Sequence, residues 1–138
     1  QSFKVKASDT ILIQAAAGGV GLIMIQWAKF IGAKVIGTVG TDEKGGIAEN
    51  YGCDHTINYV KKDFSKRVRE LTNGMGVDVV YDGVGKVTFE GSLDSLKERG
   101  FLIGYGNASG KFSKIRPANL NEQRIPLLST HIIEKFRT

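Results

Sequence analysis

A glycine-rich junction between an apolar strand and an amphipathic helix limits this chain to few folds. Residues 10–15 (Thr-Ile-Leu-Ile-Gln-Ala) are predicted to form the first strand, and the consecutive branched side chains at 10–13 are typical of a central strand buried on both faces. Ala16, Ala17, Gly18, Gly19, Val20 and Gly21 follow, and apolar residues then recur at helical spacing as far as Ile31. A strand that turns through such glycines directly into a helix predicts the first βα unit of an α/β domain.

The turn itself has the features of a phosphate-binding loop. Gly18 lets the backbone approach a pyrophosphate without an intervening Cβ, and Gly21 allows close packing of the helix on the strand. The unpaired amides near Gly19 and Val20 lie at the helix N-terminus, which carries roughly half a positive charge. Ala16 stands at the first glycine of the G-x-G-x-x-G pattern, where alanine is acceptable if its φ angle is negative. The alternative is that these glycines only tighten the turn.

Strand-length apolar runs alternate with helical segments along the chain, which indicates a parallel sheet covered on both faces. Further strands are predicted at 34–39, 56–58, 77–82, 101–104 and, weakened by Pro126, at 124–129, with 106–123 as a loop. Helices are predicted at 43–51, around Phe64, Val68 and Leu71 with Asp63 as N-cap, and around Phe89, Leu93 and Leu96 with Gly100 as cap. The predicted fold is a Rossmann doubly wound sheet of about six strands in the order 3-2-1-4-5-6, which places a ligand at the carboxyl ends of strands one and four.

Composition sets limits on the class of protein. A chain of 138 residues with 41% hydrophobic content predicts one globular domain, residues 1–138. The apolar stretches are only strand-sized, so we expect no membrane span. No signal-peptide pattern is present, and the start at Gln1 reads as a position inside a longer chain. The lone Cys53 excludes an internal disulfide, and it favours a reducing, cytoplasmic setting.

The net charge of +5 raises the question of nucleic-acid binding. The densest basic run is Lys61, Lys62, Lys66, Arg67 and Arg69. We interpret it as a solvated helix face, with a patch that attracts anionic ligands as the alternative. The chain has no RNP-like motif, no interleaved aromatic and basic stripe and no basic tail, so nucleic-acid binding is not favoured.

The residues after the second strand favour NADP over NAD. NAD-specific domains carry an acidic residue at the end of this strand, about 20 residues beyond the turn, that binds the ribose 2′-hydroxyl. Here the strand ends in Val39, Gly40 and Thr41, and valine cannot accept that bond. A 2′-phosphate would gain donors from Thr41 and a positive charge from Lys44. Asp42 keeps the NAD alternative open.

Five segments of the chain together resemble one known family. They are residues 15–21 (Ala-Ala-Ala-Gly-Gly-Val-Gly), 37–41 (Gly-Thr-Val-Gly-Thr), 57–59 (Ile-Asn-Tyr), 80–85 (Val-Tyr-Asp-Gly-Val-Gly) and 104–110 (Gly-Tyr-Gly-Asn-Ala-Ser-Gly). The set is similar to the NADPH:quinone oxidoreductases, the zinc-free, zeta-crystallin-like branch of the medium-chain dehydrogenase/reductase superfamily. The resemblance runs from about Val5 to Thr130.

The resemblance implies roles for the candidate site residues. Gly19 and Val20 would lie under the pyrophosphate, and Gly83 would border the cofactor near the adenosine end of the crevice. The 2′-phosphate and adenosine side would be lined by Gly40, Lys44 and Tyr59. The segment toward the nicotinamide would be Tyr105, Gly106, Asn107 and Ala108, and many relatives have serine in place of Ala108. The full candidate NADP site is Gly18, Gly19, Val20, Gly21, Gly40, Thr41, Lys44, Tyr59, Gly83, Tyr105, Gly106, Asn107 and Ala108.

The resemblance also implies an activity and an assembly. The full enzyme would transfer a hydride from NADPH to a quinone or another electrophilic alkene or carbonyl. In this family the substrate lies between the nucleotide domain and a separate GroES-like domain, so we expect this chain alone to be inactive and assign it no catalytic residue. Relatives commonly form dimers through the edge of the last strand, here 124–130, which predicts a homodimer.

Two other functions share parts of this pattern. An enoyl-thioester reductase domain would have the same turn and cofactor, and some crystallin-type relatives bind RNA. A zinc enzyme is not favoured, because Cys53, His55 and His131 lack ligand spacing. A short-chain dehydrogenase would need a Tyr-x-x-x-Lys pair, and no tyrosine of the chain is followed by lysine at that distance.

Overall fold

A computed structural model of the chain describes residues 5–85, 87–104 and 113–115, the last three by their backbone. The strands are β1 (Thr10–Ile13), β2 (Lys34–Val39), β3 (His55–Asn58), β4 (Val77–Asp82), β5 (Leu96–Gly104) and β6 (Ser113–Ile115). The helices are α1 (Gly19–Ile31), α2 (Asp42–Asn50), α3 (Phe64–Leu71) and α4 (Phe89–Ser95).

The strands form one sheet in the order β3-β2-β1-β4-β5-β6. Strands β1 to β5 pair in parallel, and β6 pairs antiparallel with β5. Ile11 of β1 lies opposite Val35 of β2 on one side and Val79 of β4 on the other. The doubly wound α/β fold and the predicted order of its first five strands are therefore confirmed. Because the order reverses at β1, the carboxyl ends of β1 and β4 form the topological switch point at which such sheets bind ligands.

The sheet has a core on each face, because successive side chains of a strand point in opposite directions. Ile11 and Ile13 of β1 belong to the core that also contains Ile25 and Ala28 of α1. Leu12, between them, belongs to the second core, with Val68 of α3 and Phe89 of α4. The run of consecutive branched residues in β1 is thus buried on both sides, as the sequence predicted.

Two helix boundaries follow from local chemistry. The Asp63 carboxylate accepts hydrogen bonds from the amides of Ser65 (3.1 Å) and Lys66 (3.4 Å), which confirms Asp63 as the N-cap of α3. At the end of α1, Gly32 adopts the left-handed conformation with φ of 100°, as expected of a C-terminal glycine.

The boundary between α4 and β5 differs from the prediction. The helix ends at Ser95, and Leu96 belongs to β5, where it pairs with Val77. The next pair joins Val79 to Phe101, so two steps along β4 correspond to five along β5 and the intervening residues bulge out. Gly100 lies in this bulge and does not cap the helix. A Cβ on Gly100 would come within 2.8 Å of Leu96 Cδ2, so close packing explains the glycine.

The assignment of residues 106–123 to a loop was partly wrong. Residues 113–115 form β6 inside the segment predicted as a loop, where the polar composition gives no strand signal. This short strand pairs antiparallel with β5, and Leu102, Ile103 and Gly104 lie opposite it. The predicted strand at 124–129 lies outside the described residues.

Candidate functional site

The turn between β1 and α1 lies at the switch point of the sheet. Its first residue, Ala15, adopts the left-handed conformation with φ of 55°, and the Gly18 amide donates to the Ala15 carbonyl at 3.1 Å. Ala16 is buried and does not have a positive φ angle, so the condition for alanine at the first glycine position is met. The Ala16 amide donates to the Thr38 carbonyl at 2.9 Å, which ties the turn to β2.

Two glycines of this turn serve different purposes. A Cβ on Gly21 would come within 2.5 Å of the Ala16 carbonyl oxygen, so only glycine lets α1 start this close to the strand. This confirms the packing role expected of Gly21. A Cβ on Gly19 would have no atom within 4 Å, so the space over Gly19 is open.

The N-terminus of α1 has backbone donors without side-chain partners. The N-cap residue, Gly18, has no side chain to cap the helix, and the first helical bond runs from the Leu22 amide to the Gly18 carbonyl. The amides of Gly19, Val20 and Gly21 are the orphan donors of this helix end. Gly18, Gly19 and Val20 are exposed, so an anion can reach this end of the helix.

A second part of the site follows β2. Val39 is buried at the end of the strand and Gly40 is half-buried after it. A Cβ on Gly40 would stand 3.0 Å from the Tyr59 hydroxyl and 3.5 Å from Tyr59 Cζ, so the tyrosine ring covers Gly40. The Tyr59 amide donates to the Val39 carbonyl, and Tyr59 as a whole is 54% exposed. The two candidate residues Gly40 and Tyr59 therefore lie in contact.

Thr41 and Lys44 stand at the start of α2. The Thr41 hydroxyl accepts from the Lys44 amide at 3.1 Å as the N-cap of α2. It keeps its own hydrogen to donate. Lys44 is exposed, and within the described residues no hydrogen bond or ion pair engages its ammonium group.

Asp42 is the acidic residue that left NAD as the alternative cofactor. Its carboxylate already accepts hydrogen bonds from other side chains of the chain. Its carboxylate accepts from Asn58 Nδ2 at 3.0 Å and from Lys61 Nζ at 2.6 Å. The hydrogen bond from Lys61 and that from Asn58 hold the pKa of Asp42 below its ordinary value. These groups line a cavity of about 360 Å³ between α2 and the segment after β3.

The third part of the site is the loop after β4. Gly83 is half-buried there, and the amides of the next two residues, Val84 and Gly85, donate to the Asp82 carboxylate at 2.8 and 3.1 Å. Because β1, β2 and β4 are parallel neighbours, this loop, the turn and the Gly40 region all lie at one edge of the sheet. The candidates Tyr105, Gly106, Asn107 and Ala108 lie outside the described residues.

Sequence reasoning missed a set of buried polar side chains beneath these loops. Gln14, Thr38, Asp82 and Ser92 are each at most 1% exposed. The available signal was a polar residue inside or directly after an apolar strand, such as Gln14 after Thr-Ile-Leu-Ile.

Much of the basic run is engaged within the chain. Lys61 pairs with Asp42, Arg67 pairs with Glu70, and Arg69 donates to the backbone carbonyls of Asp94, Gly74 and Leu96. Three of the five cations of the run thus have partners inside the protein.

Metal-ligand clusters and membrane-spanning helices are both absent from the described residues. Within them, no group of three or more His, Cys, Asp or Glu side chains lies together in a way that could hold a metal ion. The helices α1 to α4 all lack the length and hydrophobicity that a transmembrane span requires.

Comparison with known proteins finds relatives along most of the chain. The family described as zinc-binding dehydrogenase matches residues 19–137. The chain is 56% identical to a 2-haloacrylate reductase from Burkholderia sp. over 84% of its own length and 35% of the relative's. It is 47% identical to a quinone oxidoreductase from Salmonella typhimurium, over 89% of its length and 38% of the relative's.

Solved structures agree with the described fold. The Escherichia coli quinone oxidoreductase, solved in complex with NADPH, superimposes with a TM-score of 0.75 at 37% identity. That alignment covers 97% of this chain and 48% of the other. The chain spans 35% to 38% of the length of the curated relatives named above.

Proposed function

Since the chain belongs to the zinc-binding dehydrogenase family, we propose that it is the cofactor-binding unit of an NADPH-dependent oxidoreductase. The family resemblance drawn from the sequence motifs is confirmed by quinone oxidoreductases that are 45% to 47% identical over 89% of the chain. Within the described residues, no group of three or more His, Cys, Asp or Glu side chains could hold the zinc that the family description names.

One observation carries the proposal: the turn that opens α1 fits a bound pyrophosphate. The space over Gly19 is open, the amides of Gly19 and Val20 have no capping side chain, and this end of the helix is exposed. A diphosphate there would satisfy the orphan donors and the positive end of the helix dipole together.

The rest of the cofactor is assigned to the other loops of this edge. The Thr41 hydroxyl, the Lys44 ammonium and the backbone at Gly40 would hold the 2′-phosphate, with the Tyr59 ring beside them. Asp42 does not oppose this arrangement, because its carboxylate is engaged by Lys61 and Asn58.

The loop after β4 completes the proposed site. Gly83 would border the cofactor in the crevice, and residues 105–108 would extend toward its nicotinamide. Bound there, NADPH supplies the hydride, while the residues of this chain hold and orient it.

The acceptor is proposed to be an electrophilic double bond or a quinone. A relative named 2-haloacrylate reductase matches at 56% identity, against 47% for the Salmonella quinone oxidoreductase. An acrylate is an alkene activated by its carboxylate, so an α,β-unsaturated acid is a second candidate beside quinones. Assays of the parent enzyme with 1,4-benzoquinone and 2-chloroacrylate distinguish the two.

The acceptor site is proposed to need residues outside this chain, since the relatives are more than twice as long. The chain alone is then expected to bind NADPH without oxidising it in the presence of benzoquinone. The enzyme is proposed to act in a reducing, cytoplasmic compartment, where the single buried Cys53 stays a thiol. RNA binding is not part of the proposal, because much of the basic run is paired internally.

A homodimer through residues 124–130 is proposed from the sequence pattern and the family resemblance. A two-fold axis places a residue at the centre of such a contact next to its own copy. Leu128→Lys should therefore shift a dimer toward monomer and leave cofactor binding unchanged. Light scattering that finds the wild-type protein monomeric at micromolar concentrations would refute the dimer.

The cofactor assignment is tested by titrating NADPH and NADH into the wild-type protein and into Lys44→Ala. Loss of one charge-assisted contact to the 2′-phosphate should weaken NADPH binding by about 10- to 150-fold. NADH binding should stay unchanged, since that cofactor lacks the phosphate. Lys66→Ala, an exposed lysine on α3, is the control. Equal affinities of the wild type for the two cofactors would contradict the assignment.

A further inference from the structure

Four buried polar side chains form a continuous line beneath the candidate site. Gln14 follows β1, Thr38 lies in β2, Asp82 ends β4 and Ser92 lies in α4, and each is at most 1% exposed. In the described residues every buried polar side-chain atom has a hydrogen-bond partner. Satisfied networks of this kind fix a single arrangement, because each broken link leaves a buried polar group unpaired.

The hydrogen bonds of this line all run in one direction. The Ala15 amide can only donate, so the Thr38 hydroxyl accepts from it at 3.1 Å. The same hydroxyl therefore gives its hydrogen to Gln14 Oε1, at 2.6 Å. Gln14 Nε2 then donates to Ser92 Oγ at 3.0 Å, and Ser92 donates to Asp82 Oδ2 at 2.8 Å. Each group has its donor and acceptor roles set by its neighbour.

Asp82 is the end point of this line. Its Oδ2 also accepts from the Thr88 hydroxyl at 2.5 Å, and its Oδ1 accepts from the amides of Val84 and Gly85. Both carboxylate oxygens thus act as acceptors only. The Val84 and Gly85 bonds shape the loop that carries Gly83.

The other end of the line is the strained residue of the phosphate-binding turn. Ala15 has φ of 55°, a conformation that costs an L-residue about 1–3 kcal/mol and persists only where its surroundings impose it. Thr38 imposes it from both sides, because its hydroxyl accepts from the Ala15 amide and its carbonyl accepts from the Ala16 amide.

We propose that Thr38, Gln14, Ser92 and Asp82 are positioning residues that hold the turn at Ala15 in its ligand-ready shape and couple it to the loop at Gly83. We call these four side chains the relay. Its function rests on the proposed NADPH site. Thr38 acts through the Ala15 amide, and Asp82 acts through the amides of Val84 and Gly85. Gln14 and Ser92 link these two ends.

The relay predicts that a change at Ser92 reaches Ala15, although no hydrogen bond joins the two residues directly. Ser92→Ala removes the link between Gln14 and Asp82. Ser95→Ala is a matched control, because Ser95 is equally buried on the same helix but donates to the Gly91 carbonyl, outside the line. Both variants lose one buried hydroxyl and should lose similar stability.

Two measurements separate positioning from simple stabilisation. In the first, the ¹H–¹⁵N resonance of the Ala15 amide should shift in Ser92→Ala and stay in place in Ser95→Ala. In the second, fluorescence titration with NADPH should show about fivefold weaker binding for Ser92→Ala and wild-type binding for Ser95→Ala. An unmoved Ala15 resonance in Ser92→Ala overturns the relay.

Thr38 gives an independent comparison if Ser92→Ala does not fold. Thr38→Ser keeps the hydroxyl, so the Ala15 resonance and the NADPH affinity should both stay as in the wild type. Thr38→Val removes the hydroxyl and should alter both. Equal behaviour of the two variants overturns the relay. If the wild-type protein binds no NADPH, the proposed function fails, while the Ala15 resonances still decide whether the relay exists.

Discussion

Gly19→Val tests whether the turn at the start of α1 holds a diphosphate. A Cβ at this position meets no protein atom within 4 Å, so the valine side chain projects into open space over the uncapped amides. That is the volume that the proposed pyrophosphate needs. The substitution therefore separates the two roles of a glycine turn, because it fills the ligand space without crowding the fold.

The expected loss of NADPH affinity follows from the backbone amides that the valine side chain would shield from the phosphates. A hydrogen bond to a charged group contributes about 1.5–3 kcal/mol, so losing the amides of Gly19 and Val20 costs about 3–6 kcal/mol of binding. The dissociation constant for NADPH should rise by about 150-fold or more. The free energy of unfolding should change by less than about 1 kcal/mol, because valine at an open helix position is no worse than glycine.

The assay is fluorescence titration with NADPH beside urea unfolding of the same samples. Gly46→Val is the matched control, since a Cβ on Gly46 of α2 likewise meets no atom within 4 Å. It should leave both NADPH affinity and stability close to wild type. Normal NADPH binding by a folded Gly19→Val protein would refute the assignment of the pyrophosphate to this turn.

Two further predictions concern titratable groups. Partial burial opposes ionisation of Asp54, but the Val35 amide and the Lys29 ammonium outweigh it and hold the pKa of this carboxyl below its ordinary value. The stability that this shift contributes is complete above the unfolded pKa of about 4 and is lost as the pH falls through the folded pKa. Asp54→Asn should therefore make the free energy of unfolding depend less on pH in the acid range. An unchanged pH profile would count against this prediction. Burial raises the pKa of the Cys53 thiol to about 12, so iodoacetamide at pH 8 should modify the folded protein at least about tenfold more slowly than the protein in urea. Equal rates in the two states would show that the thiol is accessible.

Local structure could be predicted from the sequence where it depends on residues that are close together in the chain. The buried run at β1, the glycine turn and the Asp63 cap each depend on residues within a few positions of one another, so they could be predicted. The end of α4 could not, because Leu96 suits a helix face as well as a strand. Its pairing with Val77 decides the matter, and that partner is distant in sequence.

The doubly wound fold and the position of the glycine turn could be predicted from the residue order, since strand–glycine–helix order and right-handed crossovers leave few topologies. The contacts that hold this turn depend on tertiary packing. Thr38, Asp82 and Ser92 lie on three separate elements and Gln14 directly follows a fourth. Their hydrogen bonds form only when parallel pairing brings the ends of β1, β2 and β4 to one edge. A single polar residue in an apolar strand shows that a partner must exist, because an unpaired buried group is costly. The identity of that partner is set by the packing of the folded chain.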